Sequence, residues 1–330
     1  MIDALVKSRA KLGRRPNLGD YQRILREDDL EGKINLLKKL DYSDFIDRDL
    51  HSIIDIEISL QNKFSQDIKS IAHFLKGRSK DFYQKYMSNY EIMLMQNLIQ
   101  TLLNDTLADN YHNLKENPFS ENIYIKIDMS FNDFVEEMKS TRYYRTLLPF
   151  AKADIKDKSE VFLISNALTK FYYRELLEEA SKLGRDDREA IRDYLGREID
   201  RRNISMLYRL INFFNLKDTE IFNYLIEGGK DFKAKELKSL STKDPHEFEE
   251  FMKTTKYAYV FETDNFDIDL ERAAVISDRK GIRQEKSKLL AVISATRLLD
   301  ATNRNLSRTL EMDNRFSMEE KMNFIIKETI

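Results

Sequence analysis

Apolar residues recur every three or four positions along most of the chain, the spacing that lines one face of an α-helix. The longest regular row has an apolar or amide side chain at every fourth position: Ile191, Leu195, Ile199, Asn203, Leu207 and Ile211. Runs that alternate apolar and polar residues, as strands do, are nearly absent. Nine glycines and four prolines in 330 residues leave few helix breakers. The pattern predicts an all-α protein built from long helices.

Two segments interrupt the helical periodicity with polar and turn-forming residues. The first is 109–122, around Pro118, and the second is 227–245, around Gly228 and Gly229. Clusters of this composition separate packed elements. They divide the chain into the predicted units 1–116, 117–229 and 230–330. Three parts of similar length suggest an internal repeat.

A first sequence mark occurs once in each unit: an apolar residue, Lys, three variable positions and Tyr. Its copies run from Leu37 to Tyr42, from Met138 to Tyr143 and from Met252 to Tyr257. The tyrosines are 101 and 114 residues apart, and each follows a short helical pattern. The helix before the third copy has a complete start signal, with Asp244 as N-cap, Pro245 next and Glu247 third. Each unit is therefore predicted to contain a short helix followed by a turn with a tyrosine.

A second mark is an Asn followed by Leu or Ile inside a long amphipathic helix, at Asn97, Asn203 and Asn305. These residues are 106 and 102 positions apart. Asn203 lies on the apolar row of its helix, so its amide needs hydrogen-bond partners within the core. Two interpretations follow: the amides bond backbone or neighbouring helices, or they contact a ligand. The first is favoured because buried polar groups are generally satisfied inside the protein.

The two marks share one order and one period, which predicts three divergent helical repeats of about 105 to 115 residues. Each repeat contains a short helix, a turn with a tyrosine and a longer helix with an asparagine. Units of this size are better suited to close around an axis than to stack as a solenoid. We therefore expect pseudo-threefold symmetry to relate the segments around Tyr42, Tyr143 and Tyr257.

Charge and cysteine usage narrow the class of protein. The 55 basic and 57 acidic residues nearly cancel, so no global field attracts nucleic acid or an anionic membrane. The lack of cysteine excludes disulfides, thiolate catalysis and cysteine zinc sites, and it fits the reducing cytoplasm. Residues 1–15 are basic without the apolar core of a secretory signal. No apolar stretch approaches the roughly 20 residues of a membrane span, so we expect a protein that does not cross the membrane.

Residues typical of catalysis or of cofactor binding do not form recognisable sets. Gly228 and Gly229 lack the following Lys-Ser/Thr of a phosphate-binding loop. The histidines are scattered and lack the spacing of helical zinc ligands: His51, His73, His112 and His246. We predict no catalytic residue, no metal site and no cofactor.

The acidic pairs Asp28-Asp29 and Asp186-Asp187 suggest an alternative. They superficially resemble the aspartate-rich helices of all-helical, magnesium-dependent enzymes that act on prenyl diphosphates. A metal site of that kind needs a further Asp one turn on, which neither pair has. Helix starts, where carboxylates interact favourably with the helix dipole, explain the pairs better. The alternative function is a magnesium-dependent enzyme acting on a diphosphate.

One basic segment is a candidate interface. Arg279, Lys280, Arg283 and Lys286 lie close together in the sequence. Such a run is typical of a solvated helix face, and it also suits an acidic partner or phosphates.

The two marks and their order resemble the C subunit of the V/A-type (vacuolar/archaeal-type) rotary ATPases and ATP synthases, the relative of the eukaryotic d subunit. The resemblance covers nearly the whole chain, through segments 4–10, 17–25, 30–42, 82–103 and 193–207. Its strongest part is the last, where Asp200 precedes Asn203-Ile204 by three positions as in the family. The position that is acidic in the family is occupied by Leu94 in the first copy and by Thr302 in the third. The resemblance therefore supports the family more strongly than it supports the roles of individual residues.

This resemblance implies a funnel-shaped body of three helical units without enzymatic activity. Its partners would be the central-stalk subunits and the membrane rotor ring, with membrane contact only through the ring and no nucleic acid. Such a protein lies on the cytoplasmic face of the cell membrane and couples ATP synthesis or hydrolysis to proton or sodium transport. A free-standing helical scaffold is a further alternative.

Overall fold

The computed structural model describes residues 1–46, 52–152, 158–214, 216–261, 265–283, 286–313 and 315–327. Within these residues the regular structure is helical, and they contain no β-strand. The prediction of an all-α protein is confirmed. No helix in this described part is both long and apolar enough to cross a membrane.

Among the described residues, the three predicted units contain six, five and five α-helices. The helices of the first are α1 (Ile2–Leu12), α2 (Leu18–Arg26), α3 (Leu30–Lys39), α4 (Ile53–Ala72), α5 (Gly77–Leu103) and α6 (Leu107–Lys115). Those of the second are α7 (Phe131–Glu137), α8 (Tyr144–Ala151), α9 (Lys158–Ser181), α10 (Arg185–Phe213) and α11 (Asp218–Tyr224). Those of the third are α12 (Ala234–Leu240), α13 (Pro245–Lys253), α14 (Phe266–Gly281), α15 (Lys288–Glu311) and α16 (Met318–Asn323). Short 3-10 helices lie at Met138–Ser140 and Ala258–Phe261.

The helix starts follow from local sequence chemistry. The predicted N-cap of α13 is confirmed, because the Asp244 carboxylate accepts a hydrogen bond from the Glu247 N–H at 2.8 Å. The acidic pairs also act as helix starts. Asp29 caps α3 by accepting from the Gly32 N–H at 2.6 Å, and Asp186 and Asp187 lie in the first turn of α10. The Asp29 carboxylate satisfies an N–H group that has no partner within the helix, and the charges of Asp186 and Asp187 interact favourably with the positive end of the α10 dipole.

Parts of both segments that interrupt the helical periodicity, 109–122 and 227–245, are themselves helical. Helix α6 (Leu107–Lys115) covers the start of the first, and α12 (Ala234–Leu240) lies inside the second. Both helices are short and polar, but each buries two leucines: Leu107 and Leu114 in α6, Leu237 and Leu240 in α12. Packing of these leucines supports helices whose composition resembles that of loops.

Three long hairpins form the body: α4 with α5, α9 with α10, and α14 with α15. The second helix of each hairpin also packs against the first helix of the next, in the pairs α5 with α9, α10 with α14 and α15 with α4. The last pair joins the end of the chain to its beginning, so the six helices form a closed ring. α1 packs on the closing pair, α15 and α4.

Neighbouring long helices run antiparallel. Arg78, at the start of α5, donates to the Lys182 carbonyl just after α9, while Gln96 further along α5 donates to the Ser165 carbonyl near the start of α9. The α9–α10 and α14–α15 turns also meet, because the Ser287 hydroxyl donates to Asp187 at 2.7 Å. The three hairpin turns therefore lie at one end, here called the turn end, made of residues 74–81, 181–189, 279–283 and 286–288. The opposite, open end is made of 52–57, 102–116, 158–163, 208–214, 216–224, 265–272, 308–313 and 315–324.

The core lies between the hairpins. The Tyr83 hydroxyl of α5 bonds the Thr296 hydroxyl of α15 at 2.8 Å, and α10 packs against α15. The main cluster of buried apolar side chains combines residues of α4, α5, α9, α10 and α15. One continuous core therefore connects helices from all three predicted units, and it gives the body the close packing that resists deformation.

Candidate functional site

Two of the three marked asparagines make the same pair of hydrogen bonds. The Asn203 amide of α10 donates to the Ile226 carbonyl and accepts from the Ile226 N–H, both at 2.8 Å. Asn305 of α15 donates to the Ile326 carbonyl at 3.0 Å and accepts from the Ile326 N–H at 2.9 Å. Both asparagines are buried. Each one fastens a long helix to the segment that follows the next short helix, as the favoured interpretation expects.

Asn97 differs, and its predicted burial is wrong. Its side chain is exposed, whereas the adjacent Leu98 and Ile99 are fully buried. Successive helical positions are about 100° apart, so this apolar pair turns Asn97 towards solvent. Gln96 makes the contact between helices instead, donating to the Ser165 carbonyl at 2.7 Å and the Thr169 hydroxyl at 3.0 Å.

Tyr257 bonds carboxylates at the junction between the second and third predicted units. Its hydroxyl donates to Asp231 at 2.8 Å and lies 3.4 Å from Asp200 on α10. Asp200 is fully buried and accepts from three consecutive backbone N–H groups, those of Lys230, Asp231 and Phe232, at 2.9, 2.8 and 3.3 Å. These donors give a buried carboxylate partners in place of water.

The electrostatics of this junction keep the proton on the tyrosine. Burial and the nearby carboxylates raise the pKa of Tyr257 above its ordinary value. Burial also raises the pKa of Asp200, although the backbone N–H groups favour its charged form. Burial acts on Asp231 in the same direction, but hydrogen bonds from Lys256 and Tyr257 outweigh it and lower the pKa of Asp231. Tyr257 is therefore a hydrogen-bond donor near neutral pH.

Tyr143 makes a corresponding contact between the first and second units. Its hydroxyl donates to Glu91 of α5 at 2.5 Å and accepts from the Arg142 guanidinium at 2.6 Å. The same guanidinium lies 4.8 Å from the centre of the Tyr143 ring. Burial and the Glu91 charge raise the pKa of Tyr143.

Tyr42 lies at the junction between the third unit and the first. The Lys63 ammonium is 5.0 Å from the centre of its ring and forms an ion pair with Asp67 at 2.9 Å. Tyr42 lines a small cavity together with Leu299 and Thr302 of α15. Thr302 occupies the position that is acidic in α10, so α15 offers no carboxylate to Tyr42 at this position. The three tyrosines thus lie at three separate junctions and do not share a pocket.

The sequence did not reveal a buried cluster of charges between α10, α14 and α15. Glu198 pairs with Arg201 of its own helix and with Arg297 of α15, the latter at 2.9 Å. Asp278 of α14 is fully buried beside them. Burial raises its pKa to about 6, and the charges of Arg297 and Arg201 oppose this rise. The feature of the sequence that indicates such a cluster is the presence of charged residues on helix faces that are otherwise apolar.

The four predicted interface residues lie at the turn end. Lys280, Arg283 and Lys286 are exposed and Arg279 is half-buried. Arg279 and Lys280 lie in the last turn of α14, and Arg283 and Lys286 lie between α14 and α15, beside the turns of the other two hairpins.

Among the described residues, no group of three or more His, Asp or Glu side chains is placed to hold a metal ion. His73, His112 and His246 lie on different parts of the fold, and His51 lies outside the described residues. His112 contacts Asp55 at 3.2 Å.

Residues 6–283 match the family model described as "ATP synthase (C/AC39) subunit". Curated relatives include the A-type ATP synthase C subunit of Methanosarcina mazei, 24% identical over 188 residues, which are 56% of this chain and 51% of that protein. The protein of the same name from Methanococcoides burtonii is 31% identical over 131 residues, 39% of this chain and 34% of the relative. The one from Haloferax volcanii is 23% identical over 241 residues, 72% of this chain and 65% of the relative.

The matched segments therefore span between about a third and two thirds of the length of these relatives. The family model matches a larger part of this chain than any of these relatives does. Its residues 6–283 include five of the six long helices, from α4 to α14, and exclude α15.

Proposed function

The chain belongs to the ATP synthase (C/AC39) subunit family, and on that premise we propose that it is a non-catalytic rotor adaptor of a V/A-type ATPase or ATP synthase. In this role it links the central stalk to the membrane rotor ring. It couples ATP synthesis or hydrolysis in the head to proton or sodium transport in the membrane. It works as a peripheral subunit on the cytoplasmic face of the cell membrane and carries neither the nucleotide nor the ion.

The observation that carries this proposal is the closed ring of six long helices. The pair α15 and α4 joins the two ends of the chain, and a continuous core connects all three hairpins. A part that transmits torque must resist twisting between its two loaded faces. Close-packed interiors have low compressibility and transmit strain, so a closed bundle with two opposite ends suits this task.

The same contacts support the further proposal of three repeats, 1–116, 117–229 and 230–330, related by pseudo-threefold symmetry in a funnel. Each second long helix packs on the next hairpin in the same cyclic order. A short helix directly ahead of Tyr143 and of Tyr257 also packs on the preceding long helix, in the pairs α7 with α5 and α13 with α10. The helix directly ahead of Tyr42 is α3, which packs on α2, and α2 in turn packs on the long helix α15.

The marked polar residues support a structural role. Asn203 and Asn305 use their amides on backbone, and Tyr143 and Tyr257 donate to carboxylates. Burial raises the pKa of both tyrosines, so their hydroxyls hold helices together and are poor nucleophiles near neutral pH.

Copurification from the native host tests the proposal. We expect a tagged chain, extracted in mild detergent, to recover the stalk and ring subunits of a rotary ATPase. A tagged, unrelated cytoplasmic protein is the control. Recovery of neither stalk nor ring under conditions that keep the rest of the complex intact would contradict the adaptor role.

Coupling supplies a functional readout. Membranes from cells that lack this chain should retain ATP hydrolysis by the head but lose ATP-driven ion pumping, and adding back the purified chain should restore pumping. Normal pumping without the chain would rule out a role in torque transmission.

A further inference from the structure

The turn end carries an excess of positive charge contributed by all three hairpins. Its segments hold eleven Lys or Arg and four Asp or Glu, and Glu285 adds a fifth acidic residue in the sequence. Ten of the eleven basic side chains are exposed: Lys76, Arg78, Lys80, Lys182, Arg185, Arg188, Lys280, Arg283, Lys286 and Lys288. The sequence shows one basic run, 279–288, whereas the fold places two further basic turns beside it.

Local pairing removes only part of this charge. Lys182 pairs with Glu179 at 2.8 Å, and Arg185 pairs with Glu189 at 3.2 Å. Among the acidic residues, Asp187 accepts a hydrogen bond from Ser287. Like charges gathered on one surface repel each other, a cost that an oppositely charged partner relieves.

The open end has the opposite balance. Its segments hold fifteen Asp or Glu and eight Lys or Arg. The chain as a whole is nearly neutral, with a formal net charge of −2. The fold therefore separates charge along the axis of the hairpins, and the turn end attracts an acidic surface while the open end repels it.

The exposed apolar residues distinguish a protein partner from a lipid surface. Half of the large exposed apolar side chains lie at the open end: Ile53, Ile54, Leu163, Phe213, Phe214, Phe316 and Phe324. At the turn end Phe74 is the large apolar residue exposed within the described segments. Surfaces that bind membranes combine basic residues with apolar side chains that insert between lipids. Within the described residues, the hairpin turns therefore combine the basic charge with a single large exposed apolar side chain.

We propose that the turn end docks onto an acidic protein surface of the neighbouring rotor part, and that the basic turns of all three hairpins share this contact. The inference rests on the proposed rotor function. It adds which end of the molecule binds the partner and what charge the partner's surface carries. Contacts of this kind chiefly set association rate and orientation, and they weaken as salt screens the charges.

The test uses the full chain with two probes, the detergent-solubilised rotor ring and the purified central stalk of the same host, each immobilised separately. The turn-end variant combines Lys76→Glu, Arg188→Glu and Arg283→Glu, one exposed residue from each turn. The matched control reverses three exposed basic residues of the open end: Lys115→Glu, Lys217→Glu and Arg315→Glu. If the circular dichroism spectrum shows that the turn-end variant is not folded like the wild type, a neutral variant replaces it, with Lys76→Gln, Arg188→Gln and Arg283→Gln.

For one of the two probes we expect the turn-end variant to bind about tenfold or more weakly, while the control variant retains wild-type affinity for that probe. Wild-type affinity for it should also fall about tenfold between about 50 and 300 mM NaCl. Equal binding of wild type and turn-end variant to both probes overturns the docking inference but leaves the adaptor role in place. Failure of the wild type to bind either probe overturns the adaptor role itself.

A third probe separates the lipid alternative. Vesicles of phosphatidylglycerol and phosphatidylcholine should bind wild type and turn-end variant equally weakly. Strong vesicle binding that the turn-end variant loses, with ring and stalk binding unchanged, overturns the proposal and assigns this end to the membrane surface.

Discussion

Asn203 and Ile226 are joined by two hydrogen bonds that run in opposite directions between one side-chain amide and one residue's backbone groups. The same relationship recurs between Asn305 and Ile326, about a hundred residues further along the chain. Each pair satisfies a buried amide and a buried backbone N–H and C=O together. Such an arrangement is costly to break, because every group left behind remains desolvated without a partner.

Asn203→Ala should lower the free energy of unfolding by about 2 to 4 kcal/mol, because it leaves the N–H and C=O of Ile226 unpaired in the core. Urea denaturation measures the change. Asn97→Ala is the matched control: the residue carries the same sequence mark but is exposed, so we expect a change within about 0.5 kcal/mol. Equal free energies of unfolding for the two variants would show that the paired hydrogen bonds of Asn203 do not stabilise the protein.

Tyr257→Phe should destabilise the protein by about 1 to 3 kcal/mol, since it removes a hydroxyl that donates to the Asp231 carboxylate at 2.8 Å. A double-mutant cycle with Asp231→Asn isolates the contact, and the two losses should be less than additive. Tyr124→Phe, at a half-exposed tyrosine, is the control. Strict additivity in the cycle would mean that the two side chains do not interact in solution.

Gly229→Ala should be strongly destabilising because no space exists for a Cβ atom there. The added carbon would overlap the Asp200 carboxylate and lie 2.9 Å from the Phe232 carbonyl, inside the loop that binds Asp200. Gly184→Ala is the control, with no atom within 4 Å of the added carbon, and its melting temperature should stay close to wild type. A Gly229→Ala protein with the wild-type melting temperature would show that the loop around Asp200 is not packed as tightly as described.

Asp278→Asn should stabilise the protein above pH 6. Burial raises the pKa of Asp278 from 3.8 to about 6, so the folded state holds this proton more tightly than the unfolded chain. Stability therefore falls as pH rises from about 4 to 6, and the full cost, up to about 3 kcal/mol, remains at higher pH. The amide removes that charge.

The gain of Asp278→Asn should disappear below about pH 4, where the wild-type carboxyl is protonated in both states. Denaturation of both proteins between about pH 4 and 8 measures this difference. A constant difference across the range would show that folding does not shift the pKa of this carboxyl. A loss of stability at the alkaline end would show that the ionised carboxylate is a net stabilising partner of Arg297 and Arg201.

Much of the local structure could be predicted because it depends on neighbours in sequence. Asp244 caps α13 through a residue three positions away, and the marked tyrosines follow short helices as expected. Asn97 was predicted wrongly because an Asn-Leu pair does not say which face of the helix is buried. Gln96, and not Asn97, contacts α9, because the packing of α5 on α9 determines which side chain faces that helix.

The helices, their amphipathic faces and the family follow from the amino-acid sequence alone, because periodicity, capping and shared motifs are properties of short stretches. Which polar residues meet depends instead on the folded arrangement. Tyr257 reaches Asp200 across 57 positions, Arg297 reaches Glu198 across 99, and three separate basic turns share one end. These pairings require antiparallel hairpins to close into a ring, and many distant contacts fix that arrangement together.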